Sequence, residues 1–201
     1  MSGQPTVLIV PGLRDAVPVH WQTLLEAELR EAGRPVASVP PMGRVELDRA
    51  ARVAALHAAV SALDAPVLLV AHSGGCITVA HWAHGLAPAV AARVTGALLA
   101  APPDFERPMP DGYPSGAELA AAGWLPVPRA RLPFPCIVAS SRNDPLGAPD
   151  RVAALARDWG APVVDAGAVG HLNPASGYGP WPEAHRLIDR LRPCAAVAPE
   201  H

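Results

Sequence analysis

Three residue types in this chain could together carry out acyl transfer. They are a serine in Ala71-His72-Ser73-Gly74-Gly75, an aspartate in Ser141-Arg142-Asn143-Asp144-Pro145 and a histidine in Val169-Gly170-His171-Leu172-Asn173. A serine hydroxyl is a weak nucleophile at neutral pH and needs a base within hydrogen-bond reach. The base in turn needs an acceptor that fixes its tautomer and steadies the imidazolium as it forms. Where a serine is presented on a sharp strand-to-helix turn, the partners follow in the order Ser, acid, His, and Ser73, Asp144 and His171 obey that order.

Each candidate has competitors. A serine before two glycines is also an ordinary helix N-cap, in which its oxygen accepts from free backbone N–H groups. Among the acids, Asp150 and Asp158 fall on a helix, while Asp104 and Asp165 follow strands and remain alternatives to Asp144. Asp144-Pro145 could simply form a turn. Of the other histidines, His57 and His185 lie on amphipathic helices, and His72 should point away from its neighbour Ser73. His81 and His84 are one helical turn apart but lack a third ligand, so no metal site and no cofactor is expected.

The negative charge formed during acyl attack calls for preorganised N–H donors. The turn Pro11-Gly12-Leu13 after the first strand offers the Leu13 N–H, and Gly74 offers the N–H that follows the serine. Arg14 beside that turn is expected to lie in solvent. Trp21, Phe105, Trp124 and Leu125 are candidates for the apolar walls of a pocket, with core packing an equal or better reading for Trp21.

These residues must be positioned by strands and helices. Thr6–Val10, Val36–Val39, Val67–Ala71, Val94–Ala100, Cys136–Ser140 and Pro162–Asp165 are short apolar runs bounded by breakers, which read as strands. Between them, apolar residues recur at helical spacing from Pro18 to Gly33, from Leu47 to Leu63, from Cys76 onward and from Asp150 to Trp159, and again in a closing helix opened by Trp181-Pro182. The segment Asp104–Pro135 is rich in proline and reads as a surface excursion with a short helix near Gly116–Ala122. Strands alternating with helices imply a mostly parallel sheet of about six strands covered on both faces. Right-handed crossovers then gather the loops after the strands along one edge, where Leu13, Ser73, Asp104, Asp144 and His171 all fall.

A chain of 201 residues, half of them hydrophobic, suits one domain, read as residues 1–193 with a frayed tail at 194–201. A net charge of -2 leaves no basic footprint for nucleic acid. No apolar run is long and clean enough for a membrane span, and without a charged start followed by an apolar run no signal peptide is expected. Cys76, Cys136 and Cys194 are an odd set without metal spacing, which suggests reduced thiols in a cytoplasm.

Five ordered motifs carry a resemblance. Val10-Pro11-Gly12 with His20-Trp21-Gln22, Ala71-His72-Ser73 with Ala80-His81-Trp82, Ser141-Arg142-Asn143-Asp144-Pro145, Gly170-His171-Leu172-Asn173 and Gly177-Tyr178-Gly179-Pro180-Trp181-Pro182 resemble the YdeN and retinoblastoma-binding-protein-nine-like serine hydrolases. The resemblance implies a small α/β-hydrolase, a three-layer sandwich with minimal or no cap domain, with Ser73 as nucleophile, Asp144 as acid and His171 as base. It implies a serine hydrolase acting on a carboxylic ester or similar small acyl compound. The alternative is a binding or regulatory protein on the same fold with little turnover, although the sequence indicates no protein partner. Ala71 departs from the glycine usual two residues before the nucleophile.

Overall fold

Apolar runs between breakers form the strands of this protein, and the amphipathic runs between them are laid across both faces. The computed structural model describes residues 4–14, 17–43 and 46–191. In chain order, β1 (Thr6–Val10), α1 (Trp21–Glu31), β2 (Val36–Ser38), α2 (Arg49–Ser61), β3 (Val67–His72) and α3 (Gly74–Ala83) make the first half. A short α4 (Pro88–Ala91) precedes β4 (Val94–Ala100), and α5 (Gly116–Ala121) stands in the excursion before β5 (Cys136–Ser140). Then come α6 (Pro149–Trp159), β6 (Val163–Asp165), a 3-10 turn at Pro174–Ser176 and α7 (Glu183–Arg190).

The strands lie in the order β2-β1-β3-β4-β5-β6, and every neighbouring pair is parallel. Successive residues of a strand face opposite sides, and here the two sides make two separate cores. Leu8, Val10, Leu69, Leu99 and Val138 pack with Leu56 of α2, Ile77 of α3 and Leu155 of α6. Val7, Ile9, Leu68, Leu98 and Ile137 pack with Leu25 of α1 and with Leu187 and Ile188 of α7. This is the three-layer arrangement expected, and the burial of each large aliphatic side chain contributes about 1.5–3 kcal/mol.

After β2 the chain crosses back over β1 to lay down β3 on its other side. The reversal opens a crevice at the carboxyl ends of β1 and β3, where ligands bind in open sheets of this kind.

Several element ends differ from the sequence expectations. Pro18 lies in a turn closed by His20 N–H donating to the Val17 carbonyl (3.0 Å), so α1 begins three residues later than that proline suggests. The α2 start is set by Asp48, whose carboxylate accepts from Ala50 N–H at 2.8 Å. β2 stops at Ser38, β6 starts at Val163 and α7 starts at Glu183, after Trp181-Pro182. Between α3 and β4 the chain also forms α4, with Pro88 at its first position. Residues 194–201, including Cys194, lie outside the described residues. Among the described residues no helix is long and apolar enough to cross a membrane.

The excursion between β4 and β5 is tied down by long side chains. Trp124 Nε1 donates to the Leu47 carbonyl at 2.7 Å, and Trp159 Nε1 donates to that of Pro128 at 2.9 Å. Arg14 lies exposed, as expected, and from there its guanidinium donates to the Gly112 carbonyl at 2.8 Å and lies over the Tyr113 ring at 4.1 Å.

Candidate active site

The turn that follows β3 is shaped by close backbone approach. A Cβ on Gly75 would stand 2.6 Å from the carbonyl oxygens of both Val10 and Pro11, and a Cβ on Gly74 would stand 2.5 Å from Leu13 Cγ. Only glycine lets α3 start this near the end of β1. Ser73 itself is held at φ 55° and ψ -131°, a conformation that costs a non-glycine residue of order 1–3 kcal/mol and is found where a structure over-determines it. Two residues earlier, Ala71 is fully buried in the core, so its methyl group fits where glycine is usual.

Ser73 occupies the N-cap position of α3, yet its side chain makes no capping hydrogen bond. Its Oγ lies 2.7 Å from His171 Nε2 instead. His171 Nδ1 lies 2.8 Å from Asp144 Oδ2, and the other carboxylate oxygen accepts from Leu146 N–H at 2.9 Å. His171 and Asp144 are only 3% and 7% exposed, so the pair sits out of reach of competing water. A carboxylate can only accept, which places the imidazole proton on Nδ1 and leaves the Nε2 lone pair for the serine O–H. Such an arrangement can draw the proton from Ser73 as its oxygen attacks.

The loops carrying these two side chains are locked together. Asn143 Oδ1 accepts from Gly170 N–H at 2.7 Å, and Ser141 Oγ accepts from Val169 N–H at 3.2 Å. Ser176 Oγ accepts from His171 N–H at 3.0 Å. Gly170 has φ +56°, and a Cβ there would collide with Ser176 at 2.5 Å, so the tight bend before His171 also depends on glycine. The other acids are occupied elsewhere. Asp104 is paired with Arg151 Nε at 2.6 Å, and Asp165 is bonded to the Arg142 guanidinium and to Gly167 N–H.

Two positioning residues escaped the sequence reading. His72 does turn from Ser73, but its Nε2 lies 2.9 Å from the His171 carbonyl. Burial, helped by the neighbouring His171 and His20, pushes its pKa well below 6.5. The ring is therefore neutral and its Nε2–H donates to that carbonyl, tying the backbone of one loop to the end of β3. Arg52 of α2 reaches the carbonyls of Gly12 and Leu13 (both 3.3 Å), Gly43 (2.9 Å) and Glu46 (2.6 Å). By holding the Gly12 and Leu13 carbonyls it fixes the peptide planes of the turn beside Ser73. Arg52 belongs to none of the motifs above, and nothing in a sequence shows that a guanidinium will fold over a distant turn.

Gly12 approaches so closely that a Cβ on it would lie 3.2 Å from Ser73 Cβ, which sets Leu13 against the serine turn. Gly74 N–H is the first of α3 and has no partner within the helix. A cavity of about 780 Å3 opens over Ser73 and His171. Phe105 lines it as expected, together with Leu13, Leu47, Met109 and Leu146. The wall candidates Trp124 and Leu125 do not, and Trp21 takes the core-packing alternative given for it. Trp21 is buried beneath α1 against His72 and Trp181, Trp124 is fully buried with its N–H on Leu47, and Leu125 packs on the core. Among the described residues there is no group of three or more His, Cys, Asp and Glu side chains arranged to hold a metal ion. His81 is bonded to the Trp124 carbonyl.

A family model described as serine hydrolase matches residues 7–190. The chain belongs to the serine hydrolase family. Its fold is shared by a putative YdeN-like hydrolase from Pectobacterium atrosepticum, with a TM-score of 0.74 and 26% identity over 94% of each chain. The ydeN gene product from B. subtilis superposes with a TM-score of 0.69 at 17% identity, over 93% of this chain and 98% of that one. Est1E from Butyrivibrio proteoclasticus does so with a TM-score of 0.63 at 13% identity, over 95% and 86%. No curated protein sequence matches the chain. This serine hydrolase is thus a YdeN-like α/β-hydrolase enzyme, the class expected from its five motifs.

Proposed function

We propose that the enzyme cleaves a carboxylic ester or related small acyl substrate through a covalent acyl-enzyme on Ser73. The observation that carries this reading is the continuous line from Ser73 Oγ to His171 Nε2 (2.7 Å) and from His171 Nδ1 to Asp144 Oδ2 (2.8 Å), with Ser73 released from helix capping. Ser73 Oγ attacks the carbonyl carbon while His171 Nε2 takes its proton, and the carbonyl oxygen becomes an oxyanion. The N–H groups of Leu13 and Gly74 receive that charge. As the tetrahedral intermediate collapses, His171 returns the proton to the departing alcohol, leaving Ser73 acylated. A water then repeats the sequence, giving up its proton to His171, and the acid leaves. Asp144 stays ionised and steadies the imidazolium.

No cofactor takes part in this scheme, and neither nucleic acid nor a membrane does. The cavity suits a small-molecule substrate. The buried free thiols Cys76 and Cys136 support a reducing, cytoplasmic setting. The test is labelling with a fluorophosphonate, which should modify wild-type protein at Ser73 and leave Ser73→Ala untouched. A folded wild-type protein that stays unlabelled at neutral pH sinks the proposal.

A further inference from the structure

His20 carries a role at the helix end and has an unused nitrogen beside the cavity. Its Nδ1 accepts from Gln22 N–H at 3.1 Å, capping α1. A ring nitrogen that accepts has no hydrogen, so in the neutral ring the hydrogen sits on Nε2. Among the described residues that Nε2–H has no partner. The ring packs on both Trp21, at 5.9 Å between centroids, and His72, at 4.8 Å, which also touch each other, and His20 lines the cavity over Ser73. Burial and then the nearby His171 lower its pKa to about 4, so the ring is neutral under ordinary conditions.

Its link to the chemistry runs through His72, which touches both His171 and His20. The His72 ring lies 5.1 Å from that of His171 and 4.8 Å from that of His20. His171 Nε2 delivers the proton to the leaving group, so the leaving group must sit on this side of the serine. The rest of the cavity agrees. Toward α1 and β2 it is lined by Thr23, Glu26 and Ser38 beside the apolar Val17 and Val39, whereas toward the loops after β4 and β5 it is lined by Phe105, Met109 and Leu146, with Tyr113 and Glu118 also there. These ends lie on opposite sides of β3 in the strand order, and the α1 end carries more hydrogen-bonding side chains.

We propose that His20 is a substrate-contacting residue whose Nε2–H donates to an oxygen acceptor on the leaving group, so that the enzyme prefers acyl esters of oxygen-bearing alcohols to those of plain alkanols. This rests on the acyl-hydrolase reading above. It also accounts for a histidine where asparagine would cap as well or better, since the shorter side chain has no atom at the Nε2 position.

The two roles separate by substitution. His20→Asn keeps a capping acceptor and loses the donor, while His20→Gln places an amide N–H near the Nε2 position and loses the cap. Turnover of methoxyethyl butyrate and of butyl butyrate, which share an acyl group, is measured for all three proteins beside their melting temperatures. His20→Asn should lower kcat/KM for the methoxyethyl ester about tenfold, as for one lost hydrogen bond, and change the butyl ester by less than about twofold. His20→Gln should keep the preference and melt a few degrees lower. If His20→Asn affects both esters alike, or leaves both unchanged, while wild type turns them over, the His20 assignment is wrong and the acyl-hydrolase reading stands. A folded wild type that hydrolyses neither ester overturns that reading and this inference together.

Discussion

The serine turn and the excursion between β4 and β5 both border the cavity, yet they are held in unlike ways. Around Ser73 the constraint is close backbone approach: a Cβ on Gly75 would stand 2.6 Å from two carbonyl oxygens, and one on Gly12 3.2 Å from Ser73 Cβ. The excursion is pinned by side chains that reach across long stretches of sequence, such as Trp124 on Leu47 and Arg14 on Gly112. Backbone contacts of the first kind cannot be adjusted without moving strands. Side-chain pins can be exchanged one by one, so the wall of the cavity can change while its reacting end does not.

The sharpest break of this contrast lies in the reacting groups. Ser73→Ala and His171→Ala should each lower kcat on an accepted ester by on the order of 10⁶. Asp144→Asn should lower it by about 10⁴ through the wrong imidazole tautomer. Full activity of Asp144→Asn with a dead Asp104→Asn or Asp165→Asn would move the acid elsewhere. Next comes Gly75→Ala, expected to destabilise by about 3 kcal/mol or more in urea unfolding, at or beyond the usual range for overpacking, because neither carbonyl can yield. Gly74→Ala meets only the flexible Leu13 side chain and should cost visibly less.

Acidification probes the same region more gently. His20 is held neutral down to about pH 4, whereas in the unfolded chain it takes up a proton near 6.5. The unfolded state therefore binds more protons between those values, and stability falls as pH drops through that window. Urea unfolding at pH 7 and pH 5 should differ by roughly 2 kcal/mol from His20 alone, and His20→Asn should remove that share. The smallest effects belong to the excursion. Trp124→Phe, which leaves the Leu47 carbonyl unpaired, should cost about 1–2 kcal/mol. Arg14→Ala, losing contacts at the surface, should cost about 1 kcal/mol or less while altering KM more than kcat. If either weakened the fold as much as Gly75→Ala does, the distinction between the two regions would fail.

The same distinction explains how much could be read in advance. Strands such as Thr6–Val10 and Cys136–Ser140 were legible because both faces are covered, which leaves a continuous apolar run. The helix end at Gly160 was legible because its left-handed backbone favours glycine. The chain order of Ser73, Asp144 and His171, each after a strand, sufficed to expect these three side chains at one sheet edge, and there they meet. The pocket walls were legible only at Phe105: a residue such as Trp124 is equally apolar whether it faces the cavity or the core, and a small rotation of its element decides. Arg52 and His72 were missed for a related reason, since their partners are carbonyl oxygens, which every residue possesses.

One feature of the sheet bears on how the enzyme fails. β6 has three residues, two of them exposed, and is paired on one side only, to β5. The loop it launches holds His171, whose partner Ser73 is 98 residues away. Edge segments with few buried contacts open at lower free energy than the centre of a sheet. Fraying of β6 is expected to withdraw His171 from Ser73 while the central strands stay paired, so on heating turnover should be lost ahead of the bulk helical signal, which parallel activity and circular-dichroism melts would show.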